Sequence, residues 1–284
     1  MSLSDYLQQA RKTHTAVGHF NFSTADVLRA IVEGAKEGGA PAVMVGTSEG
    51  EADFLGVKET VALVKAMREE YDFPVFLNAD HFKSFEKCQE AIDAGYDTVL
   101  IDASKMPFEE NVALTKKVKD FAAGKAEVEG ELGYLRGSSE VQEAVEITPG
   151  DYTKPEEALT FVQQTNVDRL AVVFGNIHGI LTKQEENLDI EHLKNIVAVV
   201  PDVALVLHGA SGLPDEQVSA AIKAGIVNVH FNTELRVAYT KGIEKGLHPP
   251  AGGKPGETTP YKYLGPAADE VKKVVMQKVQ LFMM

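Results

Sequence analysis

The chain has 284 residues, of which 44% are hydrophobic and 25% charged, and this is the composition of an ordinary globular protein. The formal net charge of −14 argues against a nucleic-acid-binding protein, because neutralising a phosphate backbone needs a basic face. A single cysteine, an N-terminus without a signal-like apolar run and the lack of any stretch of about 18 apolar residues predict a cytoplasmic protein with no intrachain disulfide and no membrane contact.

Eight short apolar runs alternate with amphipathic stretches along the chain. The runs are rich in Val and Leu and mostly do not alternate with polar residues, which is typical of strands buried on both faces. They span residues 15–21, 41–46, 74–78, 97–101, 125–130, 169–174, 203–207 and 226–231. Eight strand–helix units predict an α/β fold, a single-domain (β/α)8 TIM barrel over residues 1–284. The alternative, an open doubly wound sheet, lacks its glycine-rich GxGxxG turn after every predicted strand.

Capping patterns predict where several helices begin and end. Ser23 is the predicted N-cap of a helix that Gly38 stops. Pro107 opens a helix with acidic residues in its first turn and lysines late, which matches the helix dipole. Residues 153–156, Thr-Lys-Pro-Glu, match a capping box, and a C-terminal helix is predicted over about residues 266–282.

Two stretches are the least regular, residues 132–152 after the fifth strand and residues 248–265 near the C-terminus. An irregular loop of about twenty residues inside a compact domain is usually functional or mobile. We therefore expect a mobile loop over about residues 132–152.

Histidines and carboxylates stand where the predicted strands end, which is where a barrel of this kind carries its active site. His81, His178 and His208 follow the third, sixth and seventh strands. Three neutral imidazoles leave zinc one open coordination position, as a catalytic site needs. Asp102 and Glu131, at the ends of the fourth and fifth strands, are candidate oxygen ligands or partners of the histidines. The pattern favours a metal centre, although any one loop histidine is more often structural.

Further polar residues and glycines belong to the same strand ends. They are Asn21, Ser48, Asp80, Gly179, Gly209, Ser211, His230, Asn232 and Thr233. A glycine lets backbone N–H groups approach phosphate oxygens, although each glycine is about as well explained by an ordinary turn. His14, His19, His192 and His248 have no comparable placement and are predicted to be structural.

Six segments of the chain, in order and in spacing, resemble the class II fructose-bisphosphate and tagatose-bisphosphate aldolases. They are NADHF (78–82), VLIDAS (99–104), VEGELG (128–133), FGNIHG (174–179), LHGASG (207–212) and NTELR (232–236). The resemblance runs from about residue 3 to the last helix. It implies a zinc-dependent barrel, a homodimer or homotetramer, that cleaves a ketose 1,6-bisphosphate to dihydroxyacetone phosphate and glyceraldehyde 3-phosphate.

The resemblance also implies roles for individual residues. One Zn²⁺ per subunit is held by the three histidines, Glu131 can meet the metal at an alternative position, and a second divalent or a monovalent cation is allowed. Asp80 matches the acid/base residue that handles the proton of the C4 hydroxyl. The positions around the dihydroxyacetone phosphate group match Gly179, Lys183, Gly209, Ser211, Asn232 and Thr233. No predicted strand carries an internal lysine, which favours a metal over a Schiff base.

Three departures from the family pattern concern the substrate. Ser139 occupies the usual place of the glutamate that exchanges the C3 proton, so its neighbour Glu140 is the candidate. Asn228 and His230 stand where strand eight usually has a lysine and an asparagine, and His230 is expected near the dihydroxyacetone phosphate. Tyr261 stands where the family usually has an arginine for the far phosphate, often across a subunit boundary.

These departures leave three interpretations of the function. The first is an aldolase acting on fructose or tagatose 1,6-bisphosphate. The second is an aldolase whose aldehyde half lacks the distal phosphate. The third is a zinc-holding barrel that binds sugar phosphates with little turnover.

Overall fold

Eight parallel strands close into a barrel in the computed structural model, which describes residues 1–248 and 256–284. The strands, numbered along the chain, are β1 Val17–Asn21, β2 Val43–Ser48, β3 Val75–Phe82, β4 Thr98–Ile101, β5 Glu127–Leu132, β6 Gly137–Gln142, β7 Arg169–Val172, β8 His178–Leu181, β9 Ala204–Leu207 and β10 Ile226–Phe231. The barrel order is β1-β2-β3-β4-β5-β7-β9-β10, and β10 pairs with β1. The predicted TIM barrel is therefore confirmed, and each predicted strand overlaps one barrel strand.

Helices follow the barrel strands and cover the barrel from outside. They are α1 Leu3–Thr13, α2 Ala25–Glu37, α3 Glu49–Leu55, α4 Val57–Tyr71, α5 Phe85–Ala94, α6 Phe108–Ala122, α7 Pro155–Thr165, α8 Ile190–Val199, α9 Asp215–Ala224, α10 Thr233–Leu247 and α11 Pro260–Phe282. Within the described part of the chain, none of these helices is long and apolar enough to cross a membrane.

Three predicted helix starts need correction. Thr24 rather than Ser23 is the N-cap of α2, and α11 begins at Pro260, six residues before the predicted start, because a proline is tolerated in a first helical turn. The capping box at residues 153–156 is wrong. The buried Thr153 hydroxyl accepts a hydrogen bond from the Val173 N–H at 2.8 Å instead, and it therefore joins the loop to the barrel.

The irregular stretch over residues 132–152 contains one strand, and its mobility stays a prediction. Strand β6 lies inside it and pairs in parallel with β8, with Val141 opposite Ile180. The Arg136 guanidinium donates to Asp151 Oδ1 at 2.8 Å and closes the base of the loop. Of the second irregular stretch, residues 249–255 lie outside the described residues.

The long C-terminal helix α11 packs on α2 and α10. Leu28 and Ile31 of α2 and Val275 of α11 are fully buried in one apolar layer between helices and barrel. Burying one such side chain contributes about 1.5–3 kcal/mol. A Cβ on Gly34 would lie 2.8 Å from the Lys272 carbonyl oxygen, so the glycine allows the close approach of α11.

Candidate active site

Three histidines from three strands meet at the carboxyl end of the barrel. His81 Nε2 lies 3.2 Å from His178 Nε2 and 2.9 Å from His208 Nδ1. Burial lowers the pKa of His178 well below its usual value, so this imidazole is neutral and offers a lone pair. The three nitrogens predicted from the sequence thus converge on one point, as ligands of a single cation do.

The backbone at His81 is what turns its ring toward this point. His81 lies inside β3 rather than after it, which corrects the predicted strand end. Its φ of 52° is left-handed, and the pairing of β3 with β4 shifts register between Ala79 and Phe82. A non-glycine residue in this conformation is uncommon and clusters at functional sites. The irregularity re-aims the side chain, as β-bulges beside active sites do.

Two carboxylates orient the His81 ring. Asp102 Oδ2 and Glu131 Oε2 lie 3.1 and 3.3 Å from His81 Nδ1, the nitrogen that faces away from the other histidines. An Nδ1–H that donates to Asp102 leaves the Nε2 lone pair for a metal. Although burial opposes it, the carboxylates of Asp80 and Glu131 raise the pKa of His81 well above its usual value. Protons therefore compete with a metal at this ring.

Another carboxylate, that of Glu129, orients the His208 ring. His208 Nε2 lies 2.8 Å from Glu129 Oε1, and Arg169 Nε donates to Glu129 Oε2 at 2.9 Å. Although burial raises it, Arg169 and His208 hold the pKa of Glu129 below its usual range. The ionised Glu129 accepts Nε2–H and so presents His208 Nδ1 to the centre. Glu129 and Arg169 were not predicted from the sequence. The available signal was the two-residue spacing of Glu129 and Glu131, which places both side chains on the same face of β5.

The residues present fit a bound transition metal. The donor set is three imidazoles with two carboxylates beside them, which suits zinc. Glu131 Oε2 is buried, and its one close polar neighbour is His81 Nδ1 at 3.3 Å, outside hydrogen-bonding geometry, so its negative charge favours a cation beside this ring. His81, Asp102 and Glu131 form a second ligand group adjoining the first, as an alternative metal position requires.

Asp80 lies beside the histidines with one oxygen held and the other free. Its Oδ2 accepts a hydrogen bond from Asn21 Nδ2 at 2.9 Å, and Asn21 also donates to Glu51 Oε2 at 3.1 Å. Its Oδ1 has no hydrogen-bond partner. Only 5% of the residue is exposed, so this oxygen is a desolvated acceptor at the cleft.

A cleft opens above the histidines, and most of the predicted residues line it. Its lining is Asn21, Asp80, His81, Ser139, His178, Gly179, His208, Gly209, Ser211, His230, Phe231, Asn232 and Thr233. Gly179 and Gly209 have φ of 100° and 68°. A Cβ on Gly209 would lie 2.1 Å from the Ile177 carbonyl oxygen, so close backbone packing by itself requires this glycine.

Besides Asp102 and Glu131, which lie behind His81, three predicted site residues lie outside this lining. Ser48 caps α3, and its hydroxyl donates to Glu51 Oε2 at 2.9 Å. Lys183 is 66% exposed in its side chain and pairs with Glu143 at 2.7 Å. Glu140 is exposed in a neighbouring groove, while Ser139 before it lines the cleft, because successive side chains of β6 point to opposite faces.

Two further residues contact the site, although sequence analysis assigned neither of them a role there. Arg236 donates from one amino group to the Ser139 carbonyl at 3.2 Å and from the other to Glu51 Oε1 at 2.9 Å, so it ties the β6 loop to the barrel. It is the last residue of the NTELR segment, which is the signal that pointed to it. His19, predicted to be structural, stacks on His230 inside the barrel with ring centroids 3.7 Å apart.

A buried acid beneath the His178 loop makes stability depend on pH. Glu186 accepts a hydrogen bond from the Ile177 N–H at 2.7 Å, and burial raises its pKa from 4.5 to about 8. The folded state therefore holds this proton more tightly than the unfolded chain. Its contribution to stability is complete below pH 4.5 and is lost as pH rises through about 8.

We expect Glu186→Gln to remove part of this loss, because a glutamine oxygen accepts the same hydrogen bond without ionising. The gain in unfolding free energy at pH 9 relative to the wild type should be about 2–4 kcal/mol. Urea unfolding at pH 5, 7 and 9 measures it, with the exposed neighbour change Glu185→Gln as control. Parallel pH curves for wild type and Glu186→Gln would contradict the assignment.

Known proteins resemble this chain over almost its whole length. A sequence model of the family described as class-II fructose-bisphosphate aldolase matches residues 1–284. Fructose-bisphosphate aldolases from Staphylococcus aureus and Geobacillus stearothermophilus are each 37% identical, over 99% of this chain and 96% of theirs. The crystal structure of the YdjI aldolase from Escherichia coli K12 superposes with a TM-score of 0.83 at 28% identity, covering 99% of this chain and 96% of that one. Fructose-bisphosphate aldolase from Campylobacter jejuni, at 21% identity and a TM-score of 0.80, shares the fold over 99% of this chain and 95% of its own.

Proposed function

The chain belongs to the class II fructose-bisphosphate aldolase family, whose members are metal-dependent lyases, and we propose that it cleaves fructose or tagatose 1,6-bisphosphate to dihydroxyacetone phosphate and glyceraldehyde 3-phosphate. The observation that carries this proposal is the meeting of His81, His178 and His208 beside Asp80 in one cleft. The family and the site together support a sugar phosphate as substrate.

We propose zinc as the metal, one ion per subunit, held by the three histidine nitrogens. When bound, the metal supplies positive charge that stabilises the negative charge left on the dihydroxyacetone phosphate half after cleavage. Glu129 and Asp102 keep the ligand nitrogens aimed at the centre by accepting the N–H of the opposite ring position. Glu131 and Asp102 are the candidates for a second divalent cation or an alternative metal position.

Asp80 is proposed as the base of the cleavage step. Its Oδ1 takes the proton of the C4 hydroxyl, the C4 oxygen becomes the aldehyde carbonyl, and the C3–C4 bond breaks with its electron pair left on C3. Asn21 holds the other oxygen at 2.9 Å and so sets the direction of the carboxylate. C3 then needs a proton from an acid, and Glu140 is the candidate. A shift of β6 by one residue would bring Glu140 to the place in the cleft that Ser139 occupies.

The dihydroxyacetone phosphate group is proposed to bind at the rim formed by Gly179, Gly209, Ser211, Asn232 and Thr233. Helix α10 begins at Thr233, and its N-terminal N–H groups and dipole favour an anion there. Lys183 is a further candidate, since its ion pair with Glu143 is exposed and costs little to exchange. Ser48 is proposed to act through Glu51 rather than on substrate.

A homodimer or homotetramer in the cytoplasm, built from one domain per chain over residues 1–284, completes the proposal. The test of function is product detection with fructose and tagatose 1,6-bisphosphates and their 1-phosphates. If none of these four compounds releases dihydroxyacetone phosphate, the remaining interpretation is a zinc-holding barrel that binds sugar phosphates with little turnover.

Weak discrimination between a 1,6-bisphosphate and its 1-phosphate is expected. A charged hydrogen bond to the distal phosphate is worth about 10- to 150-fold in relative kcat/KM, and Tyr261 stands where the family has the arginine that supplies it. Tyr261 is 78% exposed at the start of α11. The two alternative cations are already paired, Arg136 with Asp151 at 2.8 Å and Lys262 with Glu257 at 3.7 Å.

Tyr261→Arg should therefore raise kcat/KM for the bisphosphate selectively and leave the value for the 1-phosphate nearly unchanged. Steady-state kinetics with both substrates measures it, and Tyr261→Gln, which adds no charge, is the control. A wild-type preference for the bisphosphate of about a thousandfold or more would mean that another cation binds the distal phosphate.

A further inference from the structure

Three neighbouring buried atoms, two of them in residues that line the cleft, have no hydrogen-bond partner. They are His19 Nδ1, Asp80 Oδ1 and His230 Nδ1, in residues that are 0%, 5% and 6% exposed. His230 Nδ1 lies 3.5 Å from Asp80 Oδ1, and a ring nitrogen of His19 lies within 4.8 Å of ligand atoms of both other residues. Buried polar atoms are nearly always paired, so a cluster of three unpaired atoms calls for an explanation.

The hydrogen bonds behind His230 determine which of its nitrogens carries the proton. Asn228 Nδ2 donates to the Val17 carbonyl oxygen at 2.8 Å, and a carbonyl oxygen only accepts. The Asn228 amide oxygen therefore faces His230 Nε2, 3.0 Å away, and Nε2 must be the donor. Nδ1 has no partner in hydrogen-bonding geometry, so a second proton on this buried ring would have no acceptor, and the ring is neutral. A neutral ring with its proton on Nε2 presents a bare Nδ1 lone pair.

His19 has the opposite arrangement. Asn78 Oδ1 accepts from the Thr98 hydroxyl at 3.1 Å and from Arg169 at 3.4 Å, so the amide nitrogen of Asn78 faces His19 Nε2. Nε2 is then the acceptor, and the neutral His19 ring carries its proton on Nδ1. An N–H donor in the cluster argues against a cation there, because a metal needs a free lone pair from each ligand.

Stacking holds His230 in one position. Its ring lies between His19, at 3.7 Å and 11° between planes, and the metal-ligand candidate His208, at 4.2 Å and 21°. Gly46 allows the arrangement, since a Cβ there would lie 2.2 Å from His19 Nε2. The ring edge that faces Asp80 is therefore fixed by its two neighbours.

Resting on the aldolase activity proposed above, we propose that His230 Nδ1 and Asp80 Oδ1 form a two-acceptor site for the C4 hydroxyl of the substrate, with His19 as the positioning residue of His230. Two lone pairs 3.5 Å apart cannot bond to each other, but a single O–H hydrogen directed between them is shared by both acceptors in a three-centre hydrogen bond. Asp80 and His230 line the cleft, whereas His19 does not. The proton still moves to Asp80, and His230 only accepts a hydrogen bond that aims the hydroxyl.

The kinetic test separates cleavage from a partial reaction that involves no C4. The hydroxymethyl carbon of dihydroxyacetone phosphate, which is C3 of the ketose, exchanges its hydrogen for deuterium from the solvent. This exchange needs the metal and the phosphate site but no C4 hydroxyl. His230→Phe keeps a stacked ring and removes both nitrogens, and it should lower the ratio of cleavage kcat/KM to exchange rate by about 10-fold. His192→Phe, on the outer helix α8, is the matched control and should keep the wild-type ratio.

The role of His19 is tested by rescue. His19→Ala removes the stacked ring and should lower the same ratio, whereas His19→Phe restores a ring and should recover most of it. A wild-type ratio in His19→Ala would overturn the positioning role.

A measurement on the unmutated protein does not depend on folding of the variants. Nitrogen-15 NMR of the metal-loaded enzyme with labelled histidine should find His230 protonated on Nε2 and bare on Nδ1, and His19 protonated on Nδ1. A proton on His230 Nδ1 would overturn the proposal. A wild-type ratio of cleavage to exchange in a folded His230→Phe variant would also overturn the proposal. It would do so even if a crystal structure showed a water molecule bound to the three unpaired atoms.

Failure of the proposed function gives a different result. A wild-type enzyme that neither cleaves ketose phosphates nor exchanges dihydroxyacetone phosphate overturns the aldolase assignment and this inference with it. An enzyme that does both, with a wild-type ratio in His230→Phe, overturns this inference alone.

Discussion

Asp80→Asn is expected to lower kcat/KM for ketose cleavage by about 10²-fold or more while the metal content stays unchanged. Asp80 lines the cleft, and its Oδ1 has no hydrogen-bond partner, so it is free to take a proton. Asparagine has nearly the same size and keeps an oxygen for the Asn21 amide, but it cannot act as a base. The converging nitrogens belong to the three histidines and not to Asp80, which is why the metal should remain.

Steady-state cleavage rates and metal analysis of the same preparation measure both halves of this result. Asp97→Asn is the matched control, because Asp97 precedes β4 at the opposite end of the barrel, where it pairs with Arg68. Near-normal cleavage by metal-loaded Asp80→Asn would reassign the base, with Glu140 as the next candidate.

Joint replacement of His81, His178 and His208 by alanine is expected to abolish metal binding and to reduce cleavage by about a thousandfold or more. The ring nitrogens of these residues meet within 3.2 Å of His81 Nε2, and each contributes one ligand. Charge stabilisation by a bound metal is worth several kcal/mol, and about 4 kcal/mol corresponds to a thousandfold in rate.

Elemental analysis after purification in zinc-containing buffer measures the occupancy, which should fall from about one ion per subunit to nearly none. The matched control replaces His14, His192 and His248 by alanine, three histidines outside the cleft, and should keep its metal. Circular dichroism checks that both triple variants are folded. Full occupancy in the variant that lacks His81, His178 and His208 would place the metal elsewhere.

The metal centre draws on both local and distant parts of the chain. The direction of the His81 ring depends on a left-handed backbone conformation within β3, which no local sequence pattern predicts. His208 depends on Glu129, 79 residues earlier, and Glu129 in turn depends on the fully buried Arg169. A change at Arg169 therefore acts on the site without touching it.

The sequence by itself determined the barrel and the approximate place of the ligands. Strands buried on both faces must be continuous apolar runs, so the eight runs of Val and Leu predicted the eight barrel strands. The carboxyl ends of parallel strands meet at one end of a barrel, which is why residues as distant as His81 and His208 were predicted to be neighbours. The six family segments supplied roles for residues, above all for Asp80.

Only the tertiary structure decided which groups contact one another and through which atoms. Lys183 follows the family spacing and Glu140 lies one residue beyond it, yet neither lines the cleft, because the faces of β6 and the loop after β8 depend on their mutual pairing. His19 was predicted to be structural because it does not follow a strand end, and only the barrel register sets it opposite His230. Tautomers follow from hydrogen-bond partners on neighbouring strands, and those partners are set by barrel closure, which pairs residues of β1 with residues of β10 that lie 211 positions later in the chain, such as His19 with His230.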